Sequence, residues 1–177
     1  MKKLSPKTKK NLEDAFAGES MARNKYTYFA SVARKAGFIQ MANIFEETAN
    51  NEKEHAKLWA KELGLVSDLK SDLKAAIAGE HYENTEMYIR MAKEALAEGH
   101  NDIATMFKMV GKAEEAHEAR YKKLLDNLDK KEVFQKNKVV KWKCANCGYI
   151  HTGKEAPKKC PTCSHPQDYF EVFVATY

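Results

Sequence analysis

The chain has 177 residues, a length that suits one core with a small appended module. Its 30 basic and 25 acidic residues give a formal net charge of +5 and are mixed along most of the sequence, which favours a solvated charged surface over a nucleic-acid partner. The basic N-terminal stretch lacks an apolar segment, and no run of 18 or more apolar residues follows. We therefore expect a cytoplasmic protein without a membrane partner.

Residues up to about 136 are rich in Ala, Leu, Met, Glu and Lys, and Pro6 is their only proline. This composition favours long helices. Ser5 is the predicted N-cap of the first helix, and three glycines mark helix ends. The first two predicted helices span about 5–37 and 38–63. A linker around 63–72 leads to a third helix that runs to Gly99, and the fourth spans about 101–129. Helices of this length are typical of a bundle.

Each predicted helix carries ionisable groups near the middle of its inward face. The 3–4 spacing of bundle packing defines the four faces. They are Leu12, Phe16, Glu19, Arg23 and Tyr26; Met41, Phe45, Thr48, Glu52, His55 and Trp59; Leu69, Leu73, Ala76, Glu80, Glu83 and Met87; and Ile103, Phe107, Val110, Glu114, His117, Tyr121, Leu124 and Leu128.

The helical region is an internal repeat. The segment AFAGE at 15–19 returns as AIAGE at 76–80, and NEKEH at 51–55 returns as AEEAH at 113–117. The offset is 61 residues for the first pair and 62 for the second, so we place a one-residue insertion near Gly99. The repeat makes Glu19 equivalent to Glu80, Glu52 to Glu114 and His55 to His117.

Buried carboxylates in such numbers require a positive charge between them. Each Glu-x-x-His pair places both side chains on one helix face, where they can reach one metal. Two such pairs, with one glutamate from each remaining helix, match the arrangement known from di-iron and di-manganese carboxylate proteins. A single Glu-x-x-His is more often a surface pair, but its recurrence in a repeat favours Fe(II) or Mn(II) ligation.

Glu83 lies one turn after Glu80 on the same face and is a candidate seventh or mobile ligand. The alternative is a glutamate at the edge of the face that reaches solvent. Tyr26 and Tyr121 are candidate hydrogen-bond donors to a bridging carboxylate, or simply core aromatics. Five further glutamates are interpreted as surface charges or as hydrogen-bond partners of the ligands: Glu46, Glu54, Glu86, Glu115 and Glu118.

All four cysteines lie in the tail, as two C-x-x-C pairs separated by 12 residues. This spacing predicts a tetrahedral four-sulfur metal site in a reducing compartment: Cys144, Cys147, Cys160 and Cys163. Metal binding would hold so small a module together. The spacing alone leaves zinc and iron open. Iron is favoured because it transfers single electrons, which a redox di-metal centre on the same chain would need.

The segments FAGESMARNKY, EKEHAK, AGEHYENTEMY, EEAHEARY and KWKCANCGYIH resemble the rubrerythrin family over essentially the whole chain. The resemblance implies a mostly α fold, with a ferritin-like di-iron four-helix bundle over 1–136 and a rubredoxin-like iron domain with short β-strands over 137–177. It assigns the di-iron centre to Glu19, Glu52, His55, Glu80, Glu83, Glu114 and His117. It also assigns one rubredoxin-type iron to the four cysteines. The tail departs from free-standing rubredoxins, since its second pair is followed by Ser164 instead of glycine.

The resemblance further implies an oxidoreductase that reduces hydrogen peroxide to water and protects against oxidative stress. Glu83, His55, Glu52 and Glu114 would be the catalytic residues, with Glu83 and His55 exchanging at one iron. The rubredoxin-type iron would relay electrons from an external donor, such as rubredoxin or an NAD(P)H-dependent reductase. The family resemblance also implies a homodimer.

Two other functions remain open at this point. Iron oxidation and storage would use the same bundle, but an appended redox domain has no obvious use in a storage shell. A non-enzymatic scaffold with a zinc ribbon would leave the doubled Glu-x-x-His motif unexplained.

Overall fold

The computed structural model describes residues 4–176. The chain divides between Asp72 and Leu73 into two compact units. None of the helices within residues 4–176 combines the length and hydropathy that a membrane span requires. The predicted domain boundary at 136/137 remains a prediction, and the first strand begins at Gln135.

The first unit is built on a helical hairpin of α1 (Pro6–Lys35) and α2 (Ile39–Glu62). The Ser5 hydroxyl accepts a hydrogen bond from the Thr8 N–H at 3.2 Å, which confirms the predicted cap. Gly37 has φ +85°, the left-handed conformation that glycine adopts without steric cost, and it ends α1 before the turn into α2. Both predicted helix ends are therefore confirmed.

A helix in three parts begins within the first unit, continues into the second unit and is followed there by a partner helix. α3 (Leu69–Tyr82) continues through a π-helical turn (Glu83–Met87) into α4 (Tyr88–Ala97), and α5 spans Asn101–Asp129 as predicted. The third helix begins at Leu69, which is the first residue of its predicted inward face and lies within the segment predicted as a linker. The Asp68 carboxylate accepts hydrogen bonds from the N–H groups of Lys70 and Ser71 at 3.0 and 3.1 Å, which begins the helix inside the predicted linker.

The π-helical turn is the insertion that separates the two halves of the repeat. Within it the Tyr88 N–H donates to the Glu83 carbonyl five residues earlier, so one extra residue is accommodated without breaking the helix. The prediction of an insertion near Gly99 is wrong. Gly37 and Gly99 share φ +85° and are already 62 residues apart, which places the insertion before Gly99.

Small residues fill the interior of both hairpins. The buried apolar residues of the helices are all alanines: Ala30, Ala42, Ala49, Ala56, Ala60, Ala92, Ala95 and Ala104. Several large apolar residues of the predicted inward faces are exposed instead, among them Met41, Ile103 and Leu124. The prediction that these faces are buried is wrong for each hairpin taken alone, because two helices in contact along alanines cannot also cover a stripe of large side chains.

The tail of the second unit is a small antiparallel sheet in the order β2-β1-β3. Its strands are β1 (Gln135–Cys144), β2 (Ile150–Glu155) and β3 (Phe170–Val172). Trp142 and Phe170 are buried together with two of the cysteines. The Trp142 indole N–H donates to the Gly153 carbonyl at 3.0 Å, so the polar atom of this buried side chain has a hydrogen-bond partner.

Candidate metal centres

The α1–α2 hairpin brings three predicted ligands together. Ligand atoms of Glu19, Glu52 and His55 all lie within 4.8 Å of one another. The His55 Nδ1 is 2.9 Å from a Glu52 oxygen and 3.8 Å from a Glu19 oxygen. Glu52 and His55 lie one turn apart on α2, and Glu19 faces them from α1. Three of the predicted residues thus form one cluster, which we call half-site 1.

The second hairpin repeats this geometry. Glu80, Glu114 and His117 lie within the same 4.8 Å limit, and we call them half-site 2. The His117 Nδ1 is 2.7 Å from a Glu114 oxygen and 3.6 Å from a Glu80 oxygen. The surroundings correspond as well. Tyr26 packs on Phe45 at 6.2 Å between ring centroids, and Tyr88 packs on Phe107 at 6.0 Å.

The electrostatics of both half-sites fit a cation. The hydrogen bond between Glu19 and Glu52 raises the pKa of Glu19 and lowers that of Glu52. Burial, followed by hydrogen bonding to Glu114, raises the pKa of Glu80. A divalent metal would relieve the repulsion between carboxylates held this close, and carboxylate with imidazole suits Fe(II) or Mn(II).

Glu83 lies outside the compact cluster of half-site 2. It is the first residue of the π-helical turn and is half-buried. Its charge contributes to raising the pKa of Glu80 and, after burial, to raising the pKa of Tyr88. It therefore lies within electrostatic range of half-site 2, and its role as a ligand remains a prediction.

Of the two interpretations of Glu118, a surface charge or a hydrogen-bond partner of the ligands, burial contradicts the first. Glu118 is the one buried charged residue of the described chain, with 7 % of its surface exposed. It accepts hydrogen bonds from Asn84 at 2.8 Å and from His81 at 3.0 Å, and it pairs with Lys122. Its carboxylate thus ties the π-helical turn to α5 beside His117 of half-site 2. Helical spacing could not identify it, because its partners are 34 and 37 residues away in sequence.

The four cysteines of the tail are free thiols arranged for one metal ion. The sulfurs of Cys144 and Cys163 are 3.7 Å apart, and those of Cys147 and Cys160 are 3.6 Å apart. A tetrahedral ion with metal–sulfur bonds of about 2.3 Å places its sulfurs about 3.7 Å apart. The sulfur spacing therefore fits a four-thiolate site.

Backbone amides around the cysteines support thiolate ligands. The His165 N–H donates to the sulfur of Cys163 and lowers its pKa to about 6. The Tyr149 N–H acts in the same direction on Cys147, but burial and the three neighbouring thiols raise the pKa of Cys147 to about 12. Thiols held this close cannot all ionise without a cation between them.

A family model described as rubrerythrin matches residues 10–125, and one described as the rubrerythrin rubredoxin-like domain matches residues 142–171. The chain belongs to the rubrerythrin family. It is 48% identical to the rubrerythrin of Clostridium perfringens, over 97% of this chain and 96% of that protein. It is 44% identical to the rubrerythrin of Nitratidesulfovibrio vulgaris, over 94% of each. A solved structure of nigerythrin in a partially reduced state is 32% identical over 97% of this chain and 89% of that one, with a TM-score of 0.37.

Membership of the rubrerythrin family confirms the predicted fold class, a mostly helical protein with a small four-cysteine module. The cofactor prediction is supported by the same family models and by the two carboxylate–histidine clusters together with the four-sulfur cluster. Rubrerythrins are generally oxidoreductases.

Proposed function

We propose that this protein reduces hydrogen peroxide to water and so protects the cell against oxidative stress. The observation that carries the proposal is the presence of two matched carboxylate–histidine half-sites and a four-sulfur site on one chain. When bound, a pair of ferrous ions would supply the two electrons that convert one peroxide and two protons into two waters. This need for two electrons and two protons defines the tasks of the surrounding residues.

The half-site carboxylates supply and hold protons in this proposal. The pKa of Glu19 is raised by its hydrogen bond with Glu52, and that of Glu80 is raised by burial and then by its hydrogen bond with Glu114, which favours the protonated form of each. Their helices are fixed by alanine packing, which keeps the oxygens in place. Glu83 is the candidate mobile carboxylate, since the π-helical turn departs from regular α-helical geometry where it attaches.

The four-cysteine site is the proposed entry point for electrons. An iron bound by four thiolates passes one electron at a time, so two transfers restore the reduced state after each peroxide. Cys147 is exposed whereas Cys144 and Cys160 are buried, which leaves one edge of the site open to a redox partner. The donor class we propose is a rubredoxin or an NAD(P)H-dependent reductase.

The test uses purified protein reduced without oxygen. Iron and zinc are assayed first, and three irons per chain are expected from the two kinds of site. One equivalent of peroxide per di-iron site is then added while the visible spectrum is followed. Rapid oxidation of both iron centres supports the proposal.

The competing functions give different results in the same experiment. Slow oxidation by peroxide with fast uptake of added Fe(II) would indicate iron oxidation and storage, because such a protein consumes free iron. A colourless tail loaded with zinc would remove the proposed electron entry, since zinc has no accessible second oxidation state.

A further inference from the structure

We propose that the indole N–H of Trp59 is a hydrogen-bond donor that positions the Glu19 carboxylate when half-site 1 holds a metal ion. This inference rests on the metal-binding half-site of the proposed function and goes further by assigning a positioning residue to it. The observations that carry it are a buried nitrogen without a partner, its place on the helix face that bears the ligands, and the carboxylate within its reach.

The Trp59 indole nitrogen is buried, and no acceptor meets hydrogen-bond geometry with it. Within residues 4–176 it is the only buried side-chain nitrogen or oxygen of which this is true. A buried N–H that has given up water raises the free energy of the folded state until it finds an acceptor. The other indole, that of Trp142, has such a partner in the Gly153 carbonyl at 3.0 Å. The unpaired N–H of Trp59 therefore calls for an explanation.

Trp59 lies on the face of α2 that carries the two ligands of this helix. Glu52, His55 and Trp59 follow one another at spacings of three and four residues, which places Trp59 one turn beyond His55. The side chain is half-buried whereas its nitrogen is fully buried, so the polar edge of the ring points into the protein. The repeat places Tyr121 at the equivalent position of half-site 2, so the indole belongs to half-site 1 alone.

The carboxylate within reach of this nitrogen is that of Glu19. The pKa of Glu19 is raised by its hydrogen bond with Glu52, by burial and by the charge of Glu52, whereas the charge of His55 and the Trp59 N–H act to lower it. The indole thus favours the ionised form of Glu19. The two groups nevertheless do not meet hydrogen-bond geometry, because the Glu19 carboxyl is engaged with Glu52.

A metal ion in half-site 1 would change what the Glu19 carboxylate needs. The hydrogen bond between Glu19 and Glu52 requires a proton, and metal binding displaces protons from its ligands. A carboxylate that gives one oxygen to a metal keeps its second oxygen free to accept a hydrogen bond. Donors to such oxygens fix the orientation of the ligand. The buried N–H of Trp59 is a donor already in place for that oxygen.

The first test observes the indole itself in the full chain. Trp59 and Trp142 are the two tryptophans, so a nitrogen–proton correlation spectrum shows two indole signals, and Trp59→Phe identifies one of them. The cysteine site is filled with zinc first, and more zinc is then added as a diamagnetic probe of the half-sites. We expect the Trp59 indole proton to move downfield and to exchange more slowly with water, while the Trp142 signal stays in place.

The acceptor is tested in the same spectrum with Glu19→Gln. The amide oxygen of this variant is uncharged and accepts a weaker hydrogen bond, so the downfield movement of the Trp59 signal should be smaller than in the wild type. An equal movement in Glu19→Gln would assign a different acceptor and overturn the proposal. So would a Trp59 signal that does not move in the wild type although the half-sites have bound zinc.

Zinc binding needs no peroxide chemistry, which separates failure of this inference from failure of the proposed function. The zinc bound per chain is counted by equilibrium dialysis. A chain that binds zinc at its cysteines alone would overturn the positioning role together with the metal-binding half-sites. Zinc binding with the expected movement of the indole signal, in a protein that does not reduce peroxide, would leave the inference standing and contradict only the proposed reaction.

Two substitutions of Trp59 separate hydrogen bonding from packing. Trp59→Phe keeps an apolar ring and removes the N–H, whereas Trp59→Gln removes the ring and keeps an N–H donor. Mn(II) affinity is measured after the cysteine site has been filled with zinc, and free Mn(II) is followed by electron paramagnetic resonance. We expect Trp59→Phe to bind Mn(II) at least about 10-fold more weakly than the wild type, with Trp59→Gln between the two.

The thermal stability of the metal-free proteins should rank the two variants in the opposite order. Trp59→Phe buries an apolar ring and Trp59→Gln buries an amide, so Trp59→Phe should unfold at the higher temperature. Leu58→Ala, at an exposed neighbouring position of α2, is the control and should leave Mn(II) affinity unchanged. If Mn(II) affinity instead follows thermal stability, with Trp59→Phe binding as tightly as the wild type, Trp59 acts through packing and the proposal is wrong.

Discussion

Glu118 shows how much one buried carboxylate determines in this protein. Its hydrogen bond with Lys122, followed by that from Asn84, lowers its pKa to about 2. The carboxylate bonds to Asn84 of the π-helical turn and has no counterpart in the first half of the repeat, where the equivalent position is the buried Ala56. We infer that it stabilises the π-helical turn and thereby the place of Glu83.

Replacing this carboxylate with an amide is expected to destabilise the protein. In Glu118→Gln the amide nitrogen faces donors, so the thermal midpoint should fall by about 3 °C or more at neutral pH. The control is Glu115→Gln, at an exposed neighbouring position, which should leave the midpoint unchanged. The measurement is thermal unfolding of the metal-free proteins by circular dichroism.

The same pair of variants has a defined pH dependence. Because the folded-state pKa of Glu118 is depressed to about 2, its contribution is fully present above its ordinary value near 4.5 and is lost as the pH falls towards 2. The difference between wild type and Glu118→Gln should therefore shrink between about pH 4.5 and pH 2. A difference that grew on acidification would contradict this assignment.

Each pair of cysteines is followed by a residue in the left-handed backbone conformation, which glycine adopts more easily than serine. Gly148 has φ +78°, and Ser164 has φ +62° at the equivalent place after the second cysteine pair. No heavy atom outside the glycine and its neighbours lies within 4 Å of a Cβ added at Gly148, so only the backbone conformation opposes a side chain there.

Adding a side chain at the first position and removing one at the second should change the stability of the cysteine module in opposite directions. Gly148→Ala should destabilise the cysteine module by about 1 kcal/mol, because a Cβ is strained in this conformation. Ser164→Gly should stabilise it by less, since glycine also adds freedom to the unfolded chain. The readout is the rate of iron loss to a chelator at rising temperature, followed by the visible absorption. Equal rates in both variants would show that φ does not limit the stability of these turns.

Among the secondary-structure elements, the π-helical turn is the feature that distinguishes the second hairpin from the first. It adds one residue after Glu80, so Glu83 occupies a segment without regular α-helical spacing. The first hairpin has a continuous α-helix here, with Ala22 at the position of Glu83. An asymmetric element beside an otherwise symmetric ligand set is the natural place for a mobile group.

Removing the Glu83 carboxylate should separate metal binding from turnover. Glu83→Ala is expected to retain most di-iron-site metal, because half-sites 1 and 2 are intact, but to reduce peroxide turnover at least about 10-fold through loss of a proton-transfer group. Glu86→Ala is the matched control, from the same turn but exposed. Iron content and steady-state turnover are measured on both. Unchanged turnover in Glu83→Ala would remove this residue from the mechanism.

Local sequence signals predicted the helix ends but could not locate the insertion. Helix ends are set by local residues, here Ser5 and Pro6 at a start and Gly37 and Gly64 at two ends, so the type of each residue was sufficient to predict them. The π-helical turn has no residue of that kind. The matching segments only required that the offset change somewhere between residues 80 and 113. The choice of Gly99 was wrong because a turn glycine was taken as the place where an extra residue is tolerated, whereas the helix itself holds it.

At the scale of the whole molecule, periodicity identified which faces need a cover but not what covers them. The spacing of Glu52, His55 and Met41 was sufficient to define one face of α2. The structure shows that the two helices of a hairpin meet along alanines, whose small side chains carry little periodic signal.

The electron path is also a property of the whole molecule and can be tested by isolating its two parts. Cys160→Ser removes one buried sulfur of the tail and leaves both half-sites unchanged. We expect this variant to lose sustained turnover with an external donor, while a protein reduced chemically beforehand is still oxidised by the first equivalent of peroxide at the wild-type rate. Thr162→Ser, in the same turn, is the control for handling and loading.

Loading the tail of the wild-type chain with zinc also separates electron delivery from the first oxidation by peroxide, without a substitution. Zinc accepts four thiolates in the same tetrahedral geometry, so the module keeps its fold but cannot carry electrons. Both proteins should therefore fail with the external donor and succeed in the single oxidation, as measured by stopped-flow absorption. Sustained turnover in the zinc form would mean that electrons reach the half-sites by a route that bypasses the cysteines. Loss of the first oxidation in both forms would instead mean that the tail takes part in the peroxide step itself.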